Sequence, residues 1–382
     1  MKIGIVSPYY MTSYGGVQTL IKYLQLHLLN RGHEVLIVAP RPRLKADIEK
    51  TPDNVTLLGV SVQINFKNPF HTSFPIATAN RLMIADFLNS QQFDVLNIHE
   101  PWMPMLPYQI LQEASCPIVG TTHARWPRSW FNKSLEKIRT PYFRSVLDKL
   151  DIVTAVSPVA GYNVTFINDS KHKPVIIPNA IDIAHHQAQI ETHKRLDPKP
   201  YILYLNRLEK RKGPRLLIQA YHQYLSQTIS DPVPLIIAGT GPMAEVLKAD
   251  VERYGLKDFV TFEGYVSEDR KYELFANARL YVSPAPFGES FGIVLLESMV
   301  ADLPVVAGDN EGYRSVLKNQ GRASLVDPHD IPKFASALEQ FCNNETLRLA
   351  WQTWARSEIG NYDYPIITDQ YEACFKKVVS KK

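Results

Sequence analysis

From the second residue onward, short β-branched runs alternate with stretches of helical periodicity, and this alternation restricts the chain to a layered α/β architecture. Residues 2–7 form an apolar run that enters Tyr14-Gly15-Gly16, and from Val17 apolar residues fall at 17, 20, 21, 24 and 28, one face of a helix. Asn30-Arg31-Gly32 supplies a helix stop, and 35–39 is again β-branched. A strand, helix, strand unit of this kind implies parallel strands. Further apolar runs at 55–60, 93–98, 117–121, 151–156 and 174–177 are separated by helix-like stretches at roughly 77–90, 104–114, 134–149 and 158–167.

A second series opens at 201–205 and repeats at 233–238, 259–263, 279–283, 304–307 and 324–326. Between the two series, 184–199 is polar, rich in His, Gln and Lys, and shows no useful periodicity, which reads as a linker. The expected organisation is therefore a first doubly wound domain over 1–183, a linker over 184–199 and a second over 200–359. Residues 360–382 are expected to form a helix that packs back on the first domain. Two such sheets in tandem place their ligand sites at the carboxyl ends of the strands.

Composition removes several classes. With 382 residues, 45% of them hydrophobic, the chain can bury two cores. A net charge of +4 falls far short of what a protein tracking a row of nucleic-acid phosphates carries, so nucleic acid is not an expected partner. The start Met1-Lys2-Ile3-Gly4-Ile5-Val6 lacks the pattern of a secretory signal, and no run of about 18 apolar residues occurs. Cys116, Cys342 and Cys374 form no CxxC pair, which suits a reducing compartment; a cytoplasmic location is expected.

Six segments carry chemistry. Gly15-Gly16, between the first strand and its helix, is either an anion-binding helix N-terminus or a tight turn needing positive φ. Residues 206–213, Asn-Arg-Leu-Glu-Lys-Arg-Lys-Gly, project from a strand end; Arg207 and Lys212 there either clamp a pyrophosphate or belong to a solvated basic loop. In 287–299 Glu289 precedes a helix start, and Glu297 follows two turns later. Amides at Ser290, Phe291, Gly292 and Ile293 would face a phosphate, while the carboxylates could accept from sugar hydroxyls. His99-Glu100-Pro101 and Thr121-Thr122-His123 end successive strands, so either imidazole could stand at a site rim or serve structure alone. No HExxH, Asp-x-Asp or Ser/His/Asp order accompanies them, which argues against hydrolytic and metal-dependent chemistry. The sixth segment points elsewhere: a strand running into Gly239-Thr240-Gly241, with Glu263 beyond it, matches a dinucleotide loop and would suit an NAD-dependent oxidoreductase.

At these residues the chain resembles glycosyltransferase family 4, retaining enzymes of GT-B fold, over nearly its whole length. The Gly-Gly turn, the Thr-His strand end, Ile-Pro-Asn-Ala-Ile-Asp, Arg-x4-Lys-Gly, Ala-Gly-x-Gly-Pro and Glu-x7-Glu occur in the family's order. The resemblance implies two Rossmann-like domains facing across a cleft, with the Gly239 loop part of the donor domain rather than a nicotinamide site. It implies that Arg207 and Lys212 hold the pyrophosphate of a UDP- or GDP-sugar, Glu297 its ribose and Glu289 the hydroxyls of the transferred sugar. Gly15 and Gly16 would let the first domain approach the phosphates, and His123 would face the sugar. Metal, cofactor and enzymic nucleophile are not expected. Among family members the chain looks most like phosphatidylinositol mannosyltransferases. Trp126, Arg128, Trp130, Lys133 and Lys137, with His99, would then serve a lipid or glycan acceptor at the inner face of the cytoplasmic membrane. A catalytically inactive nucleotide-sugar binding protein is the remaining alternative.

Overall fold

A strand that feeds a helix returns to its own sheet by a crossover that leaves the next strand parallel, and both apolar series obey this. The computed structural model describes residues 1–12, 15–64, 74–125, 133–166, 173–197 and 199–381. It forms two units, Met1–Ala180 with Tyr364–Lys382, and Ile181–Asp363.

In the first unit, strands β1 (Lys2–Val6), β2 (Glu34–Pro40) and β3 (Val55–Leu58) precede a hairpin of β4 (Val60–Ile64) and β5 (Phe74–Thr78). Then come β6 (Val95–His99), β7 (Ile118–Thr122), β8 (Ile152–Ala155) and β9 (Val175–Ile176). Helices α1 (Gly16–Asn30), α2 (Lys45–Glu49), α3 (Arg81–Gln91), α4 (Leu106–Glu113), α5 (Lys133–Leu147) and α6 (Pro158–Phe166) connect them. Seven parallel strands run in the order β3-β2-β1-β6-β7-β8-β9, so the winding direction reverses between β1 and β6. The hairpin is an antiparallel addition that the sequence pattern did not announce.

One face of this sheet is covered by α1 and by the C-terminal helix Tyr364–Val379. Leu20, Ile21, Leu24 and Leu28 share a core with Ile367, Tyr371, Phe375 and Val378 over Ile3 and Ile5. Tyr23 stacks on Tyr364 at 4.5 Å between ring centroids, and Arg31 and His33 reach the Glu372 carboxylate at 2.8 and 3.1 Å.

The second unit contains α7 (Ile183–His193), β10 (Ile202–Leu205), α8 (Pro214–Gln227), β11 (Leu235–Ala238), α9 (Ala244–Arg253), β12 (Val260–Gly264), α10 (Glu268–Asn277) and β13 (Leu280–Ser283). It closes with α11 (Ile293–Val300), β14 (Val305–Gly308), β15 (Leu325–Val326), α12 (Ile331–Asn343) and α13 (Glu345–Ile359). Its parallel sheet has the order β12-β11-β10-β13-β14-β15, reversing between β10 and β13.

The linker expected over 184–199 is not one. Residues Ile183–His193 are helix α7, N-capped by Asp182, whose side chain accepts from the His185 amide at 3.0 Å. The helix belongs to the second unit, where the rings of His185, His186 and His193 pack around Tyr272 of α10 at 5.5–6.4 Å. None of its residues is fully buried, which is why its sequence reads as polar.

Candidate active site

The second unit gathers its charged residues at the reversal point of its sheet, where the carboxyl ends of β10 and β13 diverge. The segment leaving β10 supplies Arg207, Glu209, Arg211 and Lys212, and the segment leaving β13 supplies Glu289. Lys212 Nζ lies 2.7 Å from Glu289 Oε1, and Arg211 Nη1 approaches the same oxygen at 3.2 Å. Glu209, buried, joins Arg211 (2.9 Å) to Arg207 (2.7 Å). Three cations thus share two carboxylates and leave one positive charge in excess. Lys212 and Glu289 are 11% and 9% exposed, so this charge stands in a poorly solvated place, whereas Arg207 is 55% exposed and can turn toward a ligand. Lys212 and Glu289, expected to serve phosphate and sugar separately, are direct partners here. Glu209 and Arg211 belong to the same loop as the predicted pair, and their part in the site appears only with the fold.

Next to Glu289, α11 begins without a side-chain cap: Gly292 occupies the N-cap with φ 107°, and a Cβ there would lie 2.6 Å from the Tyr313 ring. The first amides of an uncapped helix are donors suited to an anion. Phe291 turns its ring into the core, edge-on to Tyr362 at 6.0 Å, so its backbone rather than its side chain is available at the site. Ile293 opens α11.

Glu297 lies further along α11, and its Oε1 meets Lys271 Nζ at 3.2 Å. Burial works against the Lys271 charge, yet Glu297 and Glu268 outweigh it and hold the ammonium above its ordinary range. His186, Ile190, Lys271, Tyr272, Phe275 and Glu297 line one cavity. Both Glu297 and Glu289 act on the buried Tyr281 phenol, whose pKa burial raises first and these charges raise further. Both carboxylates therefore lie within electrostatic reach of this β13 phenol.

The glycines of the Gly239-Thr240-Gly241 loop have a packing role. A Cβ on Gly239 (φ 129°) would lie 2.0 Å from the Asn206 carbonyl oxygen, and one on Gly241 would lie 2.5 Å from that of Leu208. The Gly239 amide donates to the Gly264 carbonyl at 2.7 Å, and Leu208 donates to Thr240 at 2.9 Å. The loop is thus a backing for the 206–208 segment, and the Gly239 amide is not open to a dinucleotide.

In the first unit the chemistry again lies at strand ends. His99 ends β6, His123 follows β7, and the β6–β7 register sets His99 opposite Thr121. The imidazoles are nearly parallel, 14° apart, with centroids 5.0 Å apart and His99 Nδ1 2.7 Å from His123 Nε2. His99 was expected at a rim facing the acceptor; it is fully buried, with its ring engaged by His123. Glu100 adopts φ 50° and is buried. Its Oε1 accepts from the amides of His123 (2.6 Å) and Ala124 (3.2 Å), and its Oε2 from the Trp102 indole (2.7 Å). Gly15 and Gly16 are exposed at the start of α1; Gly15 has φ 174°, ordinary extended backbone, so a positive-φ turn does not explain the pair. Trp126, Arg128 and Trp130 lie outside the described residues, and Lys133 and Lys137 fall in the opening turns of α5.

Burial depresses both imidazoles, His123 to about 3 and His99 well below 6.5, and raises Glu100 to about 7 against three donors that favour its charge. Below pH 6.5 the unfolded chain takes up protons on these histidines that the native one refuses, so their contribution to stability is lost as pH falls. Glu100 acts oppositely: between about 4.5 and 7 the native carboxyl holds a proton that the unfolded one releases, so its contribution declines as pH rises. Two imidazoles outweigh one carboxyl. The melting temperature is expected to fall on acidification from about pH 6.5 to 4, most steeply below about 4.5, and to fall less in His123→Gln. An equal acid loss in both proteins, measured by differential scanning calorimetry, would remove His123 from this account.

Known proteins share the sequence family and the fold. The profile of Glycosyltransferase Family 4 matches residues 14–185, and that of Glycosyl transferases group 1 matches 186–358. A phosphatidyl-myo-inositol mannosyltransferase from Mycolicibacterium smegmatis is 30% identical across 99% of this chain and 94% of its own length. Among solved structures, a glycosyltransferase from Rickettsia africae superimposes with a TM-score of 0.74 at 17% identity, covering 100% of this chain and 99% of its own. HepE from Anabaena, in complex with UDP, superimposes with a TM-score of 0.72 at 17% identity, covering 99% and 100%. With two doubly wound parallel sheets, charged residues at their strand ends and full-length similarity to such enzymes, the chain belongs to glycosyltransferase family 4 and is a glycosyltransferase of GT-B fold.

Proposed function

We propose that the enzyme transfers a hexose, of mannose or glucose type, from a UDP- or GDP-sugar to a lipid or glycan acceptor, with retention of anomeric configuration and without a metal ion. The observation that carries this reading is the Lys212–Glu289 pair beside the exposed Arg207 and the uncapped start of α11. Cations and helix amides neutralise a pyrophosphate in the way that a metal does elsewhere, and the carboxylate beside them accepts from sugar hydroxyls. Mannose and a lipid acceptor are favoured by the name of the mycobacterial relative, and a uridine nucleotide by the ligand of the Anabaena structure. The aromatic and basic composition of 125–149 suits peripheral contact with an anionic membrane at its cytoplasmic side.

In this reading Arg207 and Lys212 draw charge off the departing diphosphate, Glu289 holds the sugar, and Glu297 accepts from the ribose. A His123 kept neutral by burial contributes a hydrogen bond rather than a full proton transfer. The acceptor proton passes to the leaving phosphate on the same face of the sugar, so that no enzymic nucleophile is needed.

A thermal-shift screen tests the donor class. UDP or GDP is expected to raise the melting temperature and NAD(H) to leave it unchanged, and transfer is expected to survive EDTA. Stabilisation by NAD(H) alone would restore the oxidoreductase, loss of turnover reversed by a divalent cation would overturn metal independence, and nucleotide binding with no turnover on any acceptor would leave a binding protein.

A further inference from the structure

The histidine pair poses a question of proton placement that its surroundings answer. A neutral imidazole carries one N–H, and the 2.7 Å contact between His99 Nδ1 and His123 Nε2 needs one donor and one acceptor. His99 Nε2 is buried and has no hydrogen-bond partner among the described residues. Were His123 the donor, the His99 proton would sit on that Nε2, a buried N–H with nothing to receive it. Orphaned donors of this kind are the rarer fault in folded proteins; a buried lone pair is more readily tolerated. The arrangement that avoids the orphan puts the His99 proton on Nδ1, directed at His123.

We propose that His99 is a positioning residue whose Nδ1–H donates to His123 Nε2, fixing His123 as the Nδ1–H tautomer so that it meets the transferred sugar as a hydrogen-bond donor. The proposal rests on the reading above that His123 faces the sugar, and deepens it. Two contacts then define His123: Glu100 holds its backbone amide, and His99 holds its ring and chooses its proton. Burial of both rings keeps them neutral, which makes the tautomer the remaining variable. A His123 so held cannot act as a base through Nδ1. It can donate to a sugar oxygen, which suits a reaction whose proton leaves with the diphosphate.

Long-range 1H–15N correlation spectra of the full-length protein carrying 15N-histidine, with His123→Gln to assign its signals, read the tautomer directly. The expected result is a protonated Nδ1 and bare Nε2 on His123, and the same pattern on His99. His99→Phe keeps a ring without the donor, while His99→Asn returns an amide N–H near the Nδ1 position. His99→Phe is expected to move His123 to the Nε2–H tautomer and to lower kcat about tenfold or more, with KM for the nucleotide sugar within about twofold. His99→Asn is expected to recover most of that kcat. A wild-type His123 protonated on Nε2 overturns the proposal, as does a His99→Phe protein with an unchanged tautomer or wild-type kcat. Should the phenylalanine variant not fold, the wild-type spectrum decides by itself. The spectra need no substrate, so failure to transfer any sugar would strike the functional reading and leave the tautomer result to stand or fall separately.

Discussion

Glu289→Ala and Lys212→Ala are each expected to lower kcat/KM about tenfold or more, because each removes a charged contact worth about 1.5–3 kcal/mol. The alanine at 289 also takes from Lys212, largely shielded from water, the carboxylate it meets at 2.7 Å, and leaves Arg211 with Glu209 alone. Loss of the carboxylate therefore disturbs the diphosphate site as well as the sugar contact. The double variant is expected to lose less than the product of the two single losses, since residues in contact do not act independently. Steady-state kinetics on all four proteins, with circular dichroism to confirm folding, measures this. Wild-type rates in both single variants would mean that the donor binds elsewhere.

Gly239→Ala is expected to be the most damaging single-methyl change in the second unit. Its φ of 129° lies where side chains are strained, at about 1–3 kcal/mol, and its Cβ would stand 2.0 Å from the Asn206 carbonyl oxygen, with overpacking adding about 1–3 kcal/mol. The sum, about 2–6 kcal/mol, is a large share of a domain's stability. Gly255→Ala is the control: its φ is 69° and nothing lies within 4 Å of the added methyl, so only the backbone cost applies. Urea melts separate the two. An unchanged melt for Gly239→Ala would show that the loop does not back the 206–208 segment, and the dinucleotide reading would regain its footing.

What the sequence made legible is what is local. β-branched runs and helical stripes mark β1, α1 and β2, because each face repeats within a few residues. The arrival of Arg207, Lys212 and Glu289 at strand ends follows from the same pattern. Contacts across the sheet do not: the meeting of Lys212 with Glu289 depends on β10 lying beside β13, and that of His99 with His123 on β6 lying beside β7. Lys271 is 26 residues from the Glu297 it neutralises, and nothing local joins them. Helix α7 escaped because its packing face is made of histidines around Tyr272 rather than of aliphatic residues. Its signal was Asp182, an N-cap ahead of the polar stretch.

The C-terminal helix gives the first unit an unusual dependence on the order of synthesis. Ile367, Tyr371 and Phe375 complete the core that Leu20, Ile21 and Leu24 begin, yet more than 300 residues separate the two halves of that core. On the ribosome, Ile181–Asp363 has all of its own residues available before the earlier-made unit does. Until residues 364–379 are made, the first unit lacks the side chains that cover α1. Domains generally fold in the order of translation, whereas here it is the second unit that is first complete in sequence. A nascent chain halted shortly before Tyr364 would display a sticky apolar sheet face, the kind of surface that chaperones hold and that truncated products aggregate through.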